Sequence, residues 1–182
     1  MTLHAKIEQA KDRIRQASLD YTCYIGHSGG KDSAVILHLA ESINHNFPVV
    51  HTPKTQGMNA IHPATLTYLY GLSVSRLINL IPIEQMPKWL ASNDLEVQID
   101  GTRSDENERS DRSSDLIVDG KSINRAHMTQ WNPSGLFGTP MLYPIFDWST
   151  EEVWTYIAEF KVPISKEYEI IKDPFYEKFC SC

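Results

Sequence analysis

The hexapeptide Ser28-Gly29-Gly30-Lys31-Asp32-Ser33 lies between two apolar runs and constrains this chain more than any other stretch. Before it, Tyr21-Thr22-Cys23-Tyr24-Ile25 has the aromatic and β-branched content of a strand. After it, Ser33-Ala34-Val35-Ile36-Leu37-His38-Leu39-Ala40 is apolar nearly all round, which predicts a buried helix. Adjacent glycines let a backbone turn its N–H groups toward an anion, a helix start adds positive potential, and Lys31 adds a full charge. The stretch from Ser28 to Ser33 is therefore predicted to be a phosphate cradle. The competing reading is a glycine turn closing a β–α unit with a surface lysine. A Walker A loop is excluded, because the position five residues before the Gly30-Lys31 pair is Ile25 and Lys31 is followed by Asp32.

The flanking chain repeats the strand–helix alternation. Leu3, Ile7, Ala10, Ile14 and Ala17 fall at steps of four and three, predicting an N-terminal amphipathic helix that packs on the body, with a homodimer seam as the second reading. Phe47 to Thr52, Leu77 to Pro82 and Leu95 to Ile99 read as further strands. Ala60 to Leu72 and Ile83 to Ser92 read as helices, Pro63 fitting a first turn. This is an α/β pattern, a parallel β-sheet with helices on both faces, whose ligand site belongs at the carboxyl ends of the strands. Gly101 to Asp115, with five acidic and three arginine side chains, is predicted to be a solvated or ligand-facing loop, and Gly120 to Pro140 an irregular stretch. Order returns at Met141 to Phe146, and Ser149 with Glu152 forms a capping box for a helix to about Phe160. The organisation expected is one nucleotide-binding domain over 1–182: a helix over 1–19, a core over 20–168 and a C-terminal tail over 169–182.

Composition narrows the class. Against 17 basic residues the chain carries 23 acidic ones, a net charge of −6, so a strongly basic nucleic-acid binder is not indicated and any anionic ligand is held by local geometry. No apolar run approaches the ~18 residues of a membrane span, and the charged N-terminus is unlike a secretory signal. Three cysteines, Cys23, Cys180 and Cys182, do not make a disulfide framework, and a cytoplasmic location is expected.

The glycine loop after the first strand resembles the pyrophosphate (PP) loop of the N-type ATP pyrophosphatases and sulfonucleotide reductases, a superfamily of Rossmann-like, adenine nucleotide alpha-hydrolase-like proteins. Two later stretches are similar to its phosphoadenylyl sulfate (PAPS) reductase branch: Gly101-Thr102-Arg103-Ser104-Asp105-Glu106 with Arg109, and Tyr143-Pro144-Ile145-Phe146-Asp147-Trp148-Ser149 followed by Val153, Trp154, Tyr156, Ile157 and Pro163. The resemblance covers roughly Tyr21 to Tyr168. It implies an enzyme that binds ATP or PAPS and acts on the phosphate chain; with ATP, attack at the α-phosphorus gives an adenylylated product and departing pyrophosphate. Backbone amides and Lys31 would then stabilise the leaving group, with Arg103 and Arg109 as forked donors. The alternative for the arginines is a salt-bridged surface loop with Asp105, Glu106, Glu108 and Asp111. Asp32 is either a magnesium ligand or a carboxylate on helix N-terminal amides.

A reductase of this branch implies a thioredoxin-like donor and a C-terminal Glu-Cys-Gly-x-His motif. This chain has Phe179-Cys180-Ser181-Cys182 instead, and His51-Thr52-Pro53 where the branch carries Asp-Thr-Gly. Sulfonucleotide reduction is thus the alternative, and a nucleotide-binding module without turnover is the third reading. Cys180 and Cys182 are candidates for a redox or sulfur-carrying thiol on a mobile tail, for half of a metal site that a partner protein completes, or for no role; an iron–sulfur cluster within this chain alone is not expected. Cys23 is read as core, His27 as a phosphate contact or a backbone-bonded strand end, and Trp148 and Trp154 as packing.

Overall fold

The computed structural model describes residues 1–43, 46–52, 63–76, 78–105, 115–118, 121–124, 131–132 and 138–180. Helix α1 (Leu3–Asp20) begins at Thr2, whose side chain accepts from the Ala5 amide, and buries Ile7, Ala10, Ile14 and Ala17, the stripe read from the sequence. Strand β1 (Cys23–Gly26) leads through the glycine loop to α2 (Lys31–Ser42). There follow β2 (Val49–His51), α3 (Pro63–Arg76), β3 (Ile78–Leu80), α4 (Met86–Ser92) and β4 (Val97–Ile99). The chain continues with β5 (Asp115–Val118), β6 (Lys121–Asn124), β7 (Trp131–Asn132), β8 (Met141–Leu142), α5 (Thr150–Phe160), α6 (Glu167–Ile170) and α7 (Pro174–Cys180).

The main sheet has the order β3-β2-β1-β4-β8-β7. Its first five strands are mutually parallel, and β7 adds an antiparallel edge to β8. Alternation along β1 separates the two faces. Cys23 and Ile25 join the core that contains residues of α1, α2 and α5, while Tyr24 packs with Val50, Met86 and Leu90 on the other side. Both faces are covered by helices, and the expected α/β architecture holds.

Four boundaries differ from the sequence reading for local reasons. Helix α2 starts at Lys31 rather than Ser33, so half of the glycine motif is the first helical turn. The helix expected over 83–92 divides into a 3₁₀ turn at Ile83–Gln85 and α4, because Pro87 has no N–H to donate to Ile83 and is tolerated only in a first turn. The stretch from Gly120 to Pro140, expected to be irregular, holds β6 and β7. Strand β6 pairs antiparallel with β5, Val118 opposite Lys121. Residues 169–182, set apart as a tail, instead carry α7 up to Cys180; Asp173 caps it by accepting from the Phe175 and Tyr176 amides at 2.9 and 3.2 Å, and Phe175, Tyr176 and Phe179 pack against the main core.

Candidate functional site

Reading outward from β1, the chain order of the sheet runs one way to β2 and β3, then resumes on the other side of β1 with β4. The loops after β1 and β4 therefore leave in opposite directions and open a crevice at their carboxyl ends. The glycine motif fills the β1 side of that crevice. Gly29 has φ +89°, and a Cβ there would stand 2.5 Å from Cγ2 of Thr65 on α3. Both the backbone conformation and the neighbour demand glycine. Gly30 is the N-cap of α2, with φ −83° and ψ 167°.

Three successive loop amides each donate to a side chain. Gly29 N–H donates to His27 Nδ1 at 3.1 Å, Gly30 N–H to Ser28 Oγ at 3.2 Å, and Lys31 N–H to the Tyr168 hydroxyl at 2.9 Å. Ser33 Oγ closes the turn by donating to the Gly30 carbonyl at 2.8 Å and lies 3.2 Å from Ser28 Oγ. All three amides are therefore engaged by the protein's own side chains in this structure. His27 takes the backbone-bonded alternative, and its ring lies 5.9 Å from that of Tyr68. His51 Nδ1 is 2.7 Å from the His27 carbonyl, which fixes the proton on that nitrogen.

The charges at the loop form a short relay. Lys31 Nζ lies 2.7 Å from Asp32 Oδ2, and the other carboxylate oxygen accepts from Arg103 Nε at 2.7 Å. Arg103 Nη1 donates to Asp105 Oδ1 at 2.6 Å and to Thr150 Oγ1 at 3.2 Å. Asp105 in turn accepts from the Thr150 amide at 2.8 Å, capping α5 together with the Ser149–Glu152 box. Gly101 allows this approach, since a Cβ there would stand 2.7 Å from the Asp32 carbonyl carbon. With 1% exposure, Arg103 is buried rather than on a surface loop, and it is ion-paired with Asp105, one of the acids the sequence alternative named, and with Asp32, which it did not name; Glu106, Glu108 and Asp111 lie outside the described residues. Asp32 bridges two cations, the Lys31 ammonium and the Arg103 guanidinium. Each of its oxygens accepts from one of them, and among the described residues no group of three or more His, Cys, Asp or Glu side chains gathers to hold a metal.

Tyr168 carries no sequence signal, because it reaches the loop from α6, 137 positions away. Its ring meets Trp154 edge-on at 5.2 Å, and burial first, then nearby carboxylates, push its hydroxyl up to about 12 against the Lys31 amide bond that lowers it. The segment carrying it is tied to α3: Thr65 Oγ1 donates to Glu167 and lies 3.2 Å from Ser165 Oγ. A cleft of about 590 Å³ runs between α3 and this segment, lined among others by Tyr68, Leu72, Pro163, Ile164 and Lys166. Trp148 and Trp154 are buried and pack as expected. Cys23 is buried, and burial, with a smaller push from Glu96, raises its thiol to about 11. Cys180 is half-buried on α7, whose Tyr176 also meets Trp154 edge-on. Arg109 and Cys182 lie outside the described residues.

Residues 54–170 match the family model described as the phosphoadenosine phosphosulfate reductase domain, a match that begins after the glycine loop. Among solved structures the chain is similar to the phosphoadenylyl-sulfate (PAPS) reductase from Candida auris in its phosphate complex. The TM-score is 0.59 at 14% identity, over 89% of this chain and 84% of that one. It is also similar to the Candida glabrata FMN adenylyltransferase in complex with FAD and inorganic pyrophosphate. There the TM-score is 0.62 at 14% identity, over 91% of this chain and 59% of that one, so this chain spans somewhat over half of its length. At that identity the likeness concerns the fold. No curated protein sequence matches the chain, and no described helix is long and apolar enough to cross a membrane.

Proposed function

Because the chain belongs to the phosphoadenosine phosphosulfate reductase domain family, we propose that it binds an adenine nucleotide by its phosphate chain on the loop from Ser28 to Ser33. We further propose that it acts on that chain by attack at the α-phosphorus with departure of pyrophosphate. One observation carries this reading: a glycine loop with Gly29 in the left-handed region enters α2 at the point where the strand order reverses, with Lys31 in its first turn.

The chemistry follows from the relay. Attack at the α-phosphorus moves negative charge onto the departing pyrophosphate, and donors placed beforehand lower that barrier. Lys31 can turn from Asp32 to a phosphate oxygen without stranding the carboxylate, because Arg103 retains Asp32 Oδ1. Arg103 is in this account a positioning residue that holds Asp32 and the start of α5 in place. Pyrophosphate leaves only a nucleotide that carries a β,γ-diphosphate, so ATP is the nucleotide of this reading; PAPS, whose α-phosphorus bears sulfate, belongs to the second reading below.

The test is calorimetry with ATP, AMP, PAPS and pyrophosphate in the presence of magnesium, on the native chain and on Lys31→Ala. Binding of the polyphosphates, weakened at least about tenfold in Lys31→Ala, is the expected result, since a charge-assisted contact is worth roughly 1.5–3 kcal/mol. Absence of binding at millimolar concentration overturns the reading. A second reading, sulfonucleotide reduction by a thiol with a thioredoxin-like donor, is favoured by Cys180 standing on the helix that shares Trp154 with Tyr168. It requires sulfite release from PAPS that Cys180→Ser abolishes. Tight binding with neither pyrophosphate nor sulfite formed supports a binding module.

A further inference from the structure

The amide of Lys31 is the first N–H of α2, the place where a helix start offers its strongest donor to an anion. In this structure a tyrosine hydroxyl already accepts from it. One N–H makes one linear bond, so a phosphate oxygen and the Tyr168 oxygen compete for it. We propose that Tyr168 is a latch on the loop: its hydroxyl occupies the Lys31 amide in the ligand-free protein, and a phosphate oxygen takes that amide by exchanging with it. This rests on the loop being the phosphate site.

Three features support a latch over a fixed wall. The Tyr168 oxygen lies 3.5 Å from where a Cβ on Gly30 would stand, directly over the N-cap. Beside the packing of Ile164 and Tyr168 on the core, its segment is tied to α3 by side-chain bonds, those of Thr65 to Ser165 and Glu167 and of Tyr68 to the Pro163 carbonyl, which can break and re-form without disturbing a backbone ladder. The cleft between that segment and α3 leaves room for it to move. After exchange the hydroxyl keeps its proton and turns to water, while the Lys31 amide passes from a neutral acceptor to an anionic one. The same ring lies against Trp154, so release of the latch alters the surroundings of a buried indole.

Tyr168→Phe removes the competing acceptor and keeps the ring. Titrated with inorganic pyrophosphate, it is expected to bind roughly three- to tenfold more tightly than the native chain, the factor carried by one exchanged neutral hydrogen bond. Hydrogen exchange read by NMR gives a ligand-free check. The Lys31 amide is expected to exchange slowly in the native chain and faster in Tyr168→Phe. Equal or weaker pyrophosphate binding in Tyr168→Phe overturns the latch alone, the weaker case marking the hydroxyl as a donor to phosphate. An equal exchange rate in the two proteins also overturns it. Failure of both proteins to bind pyrophosphate overturns the latch together with the phosphate-loop reading beneath it.

Discussion

Arg103→Met separates an internal tie from a ligand contact. The substitution keeps an apolar stem in a site with 1% exposure and removes a guanidinium that bonds Asp32 at 2.7 Å and Asp105 at 2.6 Å. Breaking a buried ion pair typically costs about 3–5 kcal/mol, because the abandoned charge is left without a partner. Here both abandoned carboxylates retain some water, with side-chain exposures of 16% and 29%, and Asp32 keeps Lys31. The lower end, about 3 kcal/mol, is therefore expected. An unfolding entropy of about 2.1 cal/mol/K per residue over 182 residues gives roughly 0.38 kcal/mol/K, so Tm should fall by about 8 °C. Arg103→Lys, with one head for two carboxylates, should fall between. The assay is thermal unfolding followed by circular dichroism, paired with pyrophosphate titration. A Tm within about 2 °C of the native value, with affinity lost tenfold or more, would refute the tie and make Arg103 a phosphate donor.

Two further outcomes follow from the same geometry. Gly29→Ala forces an alanine to φ +89° and drives its Cβ to 2.5 Å from Thr65 Cγ2, so a loss of about 1–3 kcal/mol in urea unfolding is expected. Adding Thr65→Ala should relieve the contact and leave the backbone cost; full recovery would contradict the φ argument. Cys23, raised by burial to about 11, contributes stability that is complete below pH 9 and drains as pH climbs toward 11, since the unfolded thiol ionises first. Cys23→Val should flatten that part of the alkaline decline in urea midpoint, and an unchanged slope would show that the thiol does not carry it.

The strand–helix alternation and the loop were legible because each signal is local. Glycines, a lysine and the change from a β-rich to an all-apolar run lie within twenty residues of one another, and the capping box of α5 needs only Ser149 and Glu152. The division at α4 is also local, Pro87 being its cause. The pairing of β5 with β6 has a signal in the sequence too, since the two residues between Val118 and Lys121 are Asp-Gly, a dipeptide that favours tight turns. What local pattern does not encode is which distant side chain closes on the loop. Tyr168 and Thr65 reach it through the packing of α6 and α3, and no spacing announces them. Arg103 stands out in the sequence, yet the direction of its side chain depends on Asp32 lying across the crevice, a pairing of residues 71 apart.

The relay at the loop also has an electrical consequence. Lys31, Asp32, Arg103 and Asp105 sum to zero, within a chain whose total is −6. A polyphosphate approaching from a distance meets no attractive field from these four side chains and feels the repulsion of the whole surface. Capture then depends on contacts made within a few ångströms, where amide dipoles and a redirected lysine act. Added salt, by screening the distant repulsion over about 8–10 Å, should leave encounter unhindered or quicken it, the reverse of a site that draws its ligand in with exposed lysines.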